Sequence, residues 1–295
     1  DLIAGLIPIK AGEVDMDMKE KFYKDYRKVK DFTLAEVGEL KDTLNLNESF
    51  TGMSDYLKLI ATVCLKSSGA QLTIVAPISK SGRIDAGKVS NNDLFTLYQY
   101  ENELFVASMT GKEVKDYLEY SYDLWINTVD SPDDHVLNIA NEKDERNDVE
   151  RWEFRNPTFN FDSMAGAYYT VDVTKPYGER VEISKLADGT EFSLEGEYNV
   201  AMTSYRASGG GDTMGEGAGI DTDNIDAIVV KRYPEIREVL YEYFKNHKDA
   251  SGNIVPVTSE ELGNPGVVGE WHFVPEEIAE PALARDFERL FPSVK

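Results

Sequence analysis

A chain of 295 residues can hold one large domain or two modest ones around a real core. With 41% apolar and 11% aromatic residues it is not a disordered chain. The 31 basic against 54 acidic side chains leave a net charge of −23, a surface that repels phosphate backbones and excludes nucleic-acid polymers as partners.

The start, Asp1-Leu2, carries neither an initiator Met nor a signal peptide, as in a processed product or an excised segment, so any targeting signal would lie upstream. Residues 1–40 read as a linker: 12–40 are charged and helix-prone, and Thr33 with Glu36 has capping-box spacing. Met53, Tyr56, Leu57, Ile60, Val63 and Cys64 recur at helical spacing and predict an amphipathic helix ending near Gly69. The single cysteine, Cys64, falls in that stripe, where it reads as a small buried hydrophobe. A short buried strand is expected at 72–76, a loop at 77–90 and a strand at 104–109. Thr110 and Glu113 then form a capping box opening a helix with Val114, Tyr117, Leu118, Ser121 and Trp125 on one face.

Residues 127–150 are polar and acidic and are read as a surface insertion, with the acidic run 130–150 as a solvated loop. Strands are predicted at 168–173 and 180–183 as a hairpin across Pro176-Tyr177-Gly178, at 198–203, and buried at 227–230. Pro234 is expected to start a helix with Ile236, Val239, Leu240, Tyr243 and Phe244 inward, and a last helix covers 280–291. The irregular alternation predicts an α+β fold, a mixed β-sheet layered with helices. No run of about 18 apolar residues is present, so no membrane span is expected.

Catalytic chemistry is hard to place. His135, His247 and His272 are far apart, and none has another ligand type at metal spacing. Asp221 to Asp226 begins like a calcium loop, but its fifth place lacks an oxygen ligand and Arg232 stands where the closing Glu belongs. No nucleophile elbow or P-loop occurs, so neither a catalytic residue nor a metal site is assigned. Two loops look built for binding: 97–102, before a buried strand, and 205–212, after one. The second holds Gly209, Gly210 and Gly211, costly in chain entropy unless the backbone turns sharply or approaches a ligand. Tyr205 before them and Asp212 after them suit a flat base and a ribose diol. Taken singly, each Tyr reads as a half-buried core residue; the pairing of the two loops turns the reading towards a ligand.

The stretches VAPISKSGRIDAGKVSNNDL, LYQYENELFVASMTGKEVKDYLEYS, FNFDSMAGAYYTVDVTKPYGERV and YNVAMTSYRASGGGD, in this order, resemble the C-terminal domain of the 5'-nucleotidase family. Within that family the resemblance is nearest to the bifunctional 2',3'-cyclic-nucleotide 2'-phosphodiesterase/3'-nucleotidases, and it spans about residues 33–245 with an echo near Trp271. It implies a domain that sandwiches a base between two aromatics, here Tyr100 and Tyr205, with Asn102 beside the first and Asp212 on the ribose. One extra residue separates Tyr205 from Asp212 relative to the 5'-nucleotidase pattern. The loop 76–87 resembles the family's polar substrate loop without its Asn-x-Gly-Gly-Ile-Arg version. Lys80 and Arg83 are its candidate cations, for ligand contact or for solvent alike, and Asp162 is a further candidate pocket residue.

The resemblance also implies a metallophosphoesterase domain upstream on the same polypeptide, holding two divalent metals, against which this domain would rotate. Its motifs are absent from the sequence. The expected division is therefore a linker helix at 1–40, a nucleotide-binding domain at 41–248 and a packed C-terminal extension at 249–295. The leading expectation is the nucleoside-recognition domain of an extracytoplasmic nucleotide phosphohydrolase. A non-catalytic nucleoside-binding surface module and a self-sufficient enzyme with an unrecognised carboxylate pair remain open beside it.

Overall fold

The computed structural model describes residues 14–144 and 149–292. Residues 1–13 of the expected linker, 145–148 of the acidic run and 293–295 of the C-terminal extension lie outside the described residues.

The chain opens with α1 (Met16–Thr33), capped by Asp15, followed by β1 (Glu36–Leu40) and β2 (Leu44–Asn45). Next come α2 (Asp55–Ser68), β3 (Leu72–Val75), β4 (Arg83–Ile84), β5 (Gly87–Ser90) and α3 (Asn91–Leu97). The middle holds β6 (Glu103–Thr110), α4 (Gly111–Trp125), β7 (Ile139–Asp144), β8 (Val149–Phe154), β9 (Ser163–Ala165), β10 (Ala167–Asp172) and β11 (Val181–Leu186). The last part adds β12 (Glu197–Thr203), α5 (Ser204–Ala207), β13 (Val229–Glu235), α6 (Ile236–Asn246), α7 (Ser259–Leu262), α8 (Pro265–Val268), β14 (Gly269–Val274) and α9 (Glu276–Leu290).

The central sheet is mixed, in the order β13-β6-β12-β3-β9, with β12 parallel to β3 and the other pairs antiparallel. Side chains alternate across a strand, so β6 feeds two cores at once. Phe105, Ala107 and Met109 join one apolar cluster, and Leu104 and Val106 join the other. On the first face lie α4, through Tyr117, Leu118, Tyr122 and Trp125, and residues of the smaller sheet β11-β10-β14 and of α9. On the second lie α2, through Tyr56, Leu57, Ile60 and Val63, and α6, through Val239, Leu240 and Phe244. A sheet apolar on both faces needs such layers on both sides, and the α+β reading of the sequence stands.

Local chemistry explains most boundaries. Gly69, at φ 67°, ends α2 in the left-handed conformation that a side chain resists. Thr110 and Glu113 close the predicted capping box on α4. Four expectations need correction. Thr33 and Glu36 form no capping box: Thr33 ends α1, and Glu36 begins β1, which pairs with β5 inside the expected loop 77–90. The surface insertion at 127–150 is partly core, because Val129, Val136 and Leu137 are buried among polar neighbours that mask them in composition. The expected buried strand at 227–230 is the edge strand β13, with Val230 exposed. Pro234 lies inside β13, and the helix starts at Ile236.

Helix α1 buries none of its residues, and Asn91 Nδ2 on α3 donates to Phe32 O near its end at 2.9 Å. The extension beyond 248 is woven in, since β14 runs parallel to β10. Trp125, fully buried and stacked on Phe161 at 5.7 Å between centroids, anchors the first core. Replacing it with Ala is expected to cost about 3–5 kcal/mol, measured by denaturant unfolding of the variant against the parent chain.

Candidate functional site

At one end of the central sheet, β3 and β12 finish and β6 begins, and a cavity of about 320 Å³ opens there. Tyr100, Phe159 and Tyr205 line it, and each keeps more than a third of its surface exposed. Behind them the walls are buried side chains: Ile60 and Cys64 from α2, Ile74 from β3, Leu104 from β6, Met202 from β12 and Ile236 from α6. A mostly apolar concavity with a few placed polar groups is the usual form of a small-molecule site.

The loop after β12 shapes one wall. Thr203 accepts a hydrogen bond from the Arg206 backbone N–H at 3.1 Å and so starts the one-turn helix α5. That turn leaves Tyr205 at the surface and sends Arg206 inward. A Cβ at Gly210 would meet the Tyr205 ring at 2.4 Å, so the ring lies directly against glycine backbone. Gly211, at φ 76°, is equally constrained: a Cβ there would stand 2.4 Å from the Arg206 guanidinium.

Arg206 is buried and binds Asp162, Nε to Oδ2 at 2.7 Å and Nη2 to Oδ1 at 3.2 Å. Its Nη1 donates to Asn160 Oδ1 at 3.0 Å and to Gly210 O at 2.8 Å, and Nη2 donates to Phe159 O. Tyr117 Oη donates to the same carboxylate at 2.6 Å. Burial opposes the guanidinium charge, but Asp162 more than offsets it and holds the group above its ordinary range. Burial first, and then the Asp162 charge, push the Tyr117 hydroxyl well above its usual value.

On the opposite loop, Asn102 Nδ2 donates to Tyr98 Oη at 3.0 Å, and Asn102 O accepts from the Ile236 N–H at 2.9 Å. Tyr98 and Tyr100 meet edge-on at 6.4 Å. Burial pushes the Tyr98 hydroxyl up and the Cys64 thiol up to about 12, so both stay protonated at neutral pH.

Of the residues singled out in the sequence, Tyr100, Asn102, Asp162 and Tyr205 line one cavity, and Gly210 lies under the Tyr205 ring. Asp162 spends its carboxylate on Arg206 and Tyr117. Asp212 is exposed in the left-handed conformation at φ 60° and forms no part of the wall. Lys80 pairs with Glu153, and Arg83 pairs with Asp85 at 2.6 Å; neither lines the cavity. Sequence reasoning missed Arg206, Phe159 and Tyr98. The signal for them was position alone: each sits within two residues of a residue already singled out or inside the same motif. His135 is engaged by Asp286 and Arg289, and among the described residues no group of three or more His, Cys, Asp or Glu could hold a metal ion.

The sequence profile described as "5'-nucleotidase, C-terminal domain" matches residues 36–216. The trifunctional nucleotide phosphoesterase protein YfkN of Bacillus subtilis is 31% identical over 216 residues, 65% of this chain and 13% of that protein. A 2',3'-cyclic-nucleotide 2'-phosphodiesterase/3'-nucleotidase of Haemophilus influenzae is 28% identical over 227 residues, 69% of this chain and 30% of its own length. The chain thus spans less than a third of either relative. A crystal structure of a putative 5'-nucleotidase from Staphylococcus aureus shares the fold over 90% of this chain and 45% of that one, with TM-score 0.64 at 21% identity.

Removing one partner of a buried ion pair strands the other, at a cost of about 3–5 kcal/mol. Asp162→Ala is therefore expected to lower unfolding free energy by about that amount in denaturant titrations. Arg83→Ala, which breaks an exposed pair, should change it by less than about 1 kcal/mol.

Proposed function

This chain belongs to the 5'-nucleotidase C-terminal domain family, and we propose that it is the nucleoside-recognition domain of an exported nucleotide phosphohydrolase. The observation that carries the reading is the placement of Tyr100 and Tyr205, from loops over 100 residues apart, on a single cavity with Asn102. A base seated between the two rings replaces water on both faces. Each base–aromatic contact contributes roughly 1–3 kcal/mol and tolerates any base, because every base has a π-face. Asn102, whose carboxamide is oriented by Tyr98, reads the base edge. Asp212, at the outer end of the glycine run, is assigned to the ribose hydroxyls. Lys80 and Arg83, committed to Glu153 and Asp85, are left out of the ligand set.

The described residues do not fit a metal centre. The two divalent ions implied for hydrolysis of cyclic, 3'- or 5'-phosphates are in this proposal assigned to a metallophosphoesterase domain of the same polypeptide, with base and sugar recognition assigned to this chain. The strong negative charge suits that division, since an acidic surface disfavours the phosphate itself. Helix α1, which buries none of its residues, is assigned as the connecting segment, and 41–248 with the packed 249–295 as the recognition unit. No helix among the described residues is long and apolar enough to cross a membrane, and an extracytoplasmic location is part of the proposal.

Calorimetric titration with adenosine and 3'-AMP, chelator present, tests the reading. Metal-independent binding is expected, weakened by about 1–3 kcal/mol in Tyr100→Ala and again in Tyr205→Ala, with the fold intact by circular dichroism. Unchanged affinity in both variants overturns the stacking assignment.

A further inference from the structure

The interior of the cavity is more apolar than an unmodified base requires. Resting on the nucleoside reading above, a base held at the rim by Tyr100 and Tyr205 turns one edge towards Ile60, Cys64, Ile74, Leu104, Met202 and Ile236, each under a tenth exposed. None of these carries a hydrogen-bonding group beyond the weakly accepting Met202 thioether and the thiol, which burial keeps protonated. The Asp162 and Arg206 side chains on the wall already serve each other.

Beside the Thr203 hydroxyl, which accepts from the Arg206 N–H at the start of α5, Asn102 and Tyr98 supply the polar functions for the inner edge. Asn102 gives its N–H to Tyr98 Oη, and its carboxamide oxygen accepts no hydrogen bond among the described residues. The Tyr98 hydroxyl oxygen already accepts that bond, and its own hydrogen has no acceptor among the described residues. The pair therefore offers one acceptor and one donor side by side. A purine edge with an exocyclic amine and a ring nitrogen fits it: amine N–H to Asn102 Oδ1, Tyr98 O–H to the ring nitrogen.

A primary amine has two N–H groups, and the second would be buried without a partner against aliphatic walls, which costs binding. A secondary amine has one N–H and puts an alkyl or aryl group in its place, where each buried methylene gains about fourfold in affinity. We propose that the cavity selects nucleosides whose base carries a secondary exocyclic amine with an apolar substituent, the N6-alkyl- or N6-arylpurine class, over unmodified nucleosides. The substituent enters the aliphatic interior, the remaining N–H bonds Asn102, and the sugar stays at the mouth.

The test is calorimetry of this chain with adenosine, N6-methyladenosine, N6-benzyladenosine and N6,N6-dimethyladenosine. N6-benzyladenosine is expected to bind at least about tenfold more tightly than adenosine. The dimethyl compound, with no N–H left, should bind more weakly than the monomethyl one. In Cys64→Met, whose longer side chain fills the interior, the benzyl-to-adenosine affinity ratio should fall towards unity. If that variant does not fold, the ratio in the parent chain decides alone. Adenosine binding as tightly as N6-benzyladenosine, or more tightly, overturns this inference and leaves the nucleoside reading standing. Binding of none of the four overturns both.

Discussion

The cavity rim depends on the buried pair between Arg206 and Asp162. The guanidinium has five N–H groups in a rigid fork, and the structure gives it five contacts: both Asp162 oxygens, Asn160 Oδ1, Gly210 O and Phe159 O. Burying two opposite charges is a poor way to gain stability, because desolvation cancels much of the attraction. What the pair supplies is position. It ties the loop after β12 to residues 159–162, and through Tyr117 to α4. Gly210 is held from below by Arg206 and carries the Tyr205 ring above, so one ion pair sets where two of the three rim aromatics stand.

The cavity is also a seam between the two cores. Ile74 and Met202 belong to the cluster under α4, whereas Ile60, Cys64, Leu104 and Ile236 belong to the one under α2 and α6. The central sheet separates these clusters along its length, and they meet where its strands end. Close packing of the two layers fixes the walls before any ligand arrives, so the site is preformed by the same burial that holds the fold.

Much of this architecture was legible in the sequence. Period-two and helical apolar patterns located β3, β6, β10, β12, α2 and α4, since those elements are buried and the pattern reports burial. The failures share one cause: local chemistry that a tertiary partner overrides. Thr33 and Glu36 have capping spacing, but pairing of β1 with β5 takes Glu36 into a strand. Val136 and Leu137 hide in an acidic segment, yet Asp286, fully buried on α9, accepts the Leu137 N–H at 2.9 Å and helps hold the segment inside. Tyr100 and Tyr205 were found through ordered motifs. Arg206 was not, because an Arg beside an exposed Tyr looks like any surface cation until Asp162, 44 positions earlier, is seen to neutralise it.

The same network bears on what the cavity can do. General acid–base work needs a group that gains or loses a proton near neutral pH. The Arg206 guanidinium that pairs with Asp162 is held above its ordinary range, so it is not poised to exchange a proton. Burial pushes the Tyr98 hydroxyl and the Cys64 thiol in the direction that keeps them neutral, which removes the thiolate as a nucleophile. The polar groups on these walls are therefore suited to hydrogen bonding and shape, and Tyr100 and Tyr205 add two partly exposed aromatic rings at the rim. A cavity lined in this way is suited to discriminating between small molecules by shape and hydrogen-bond fit.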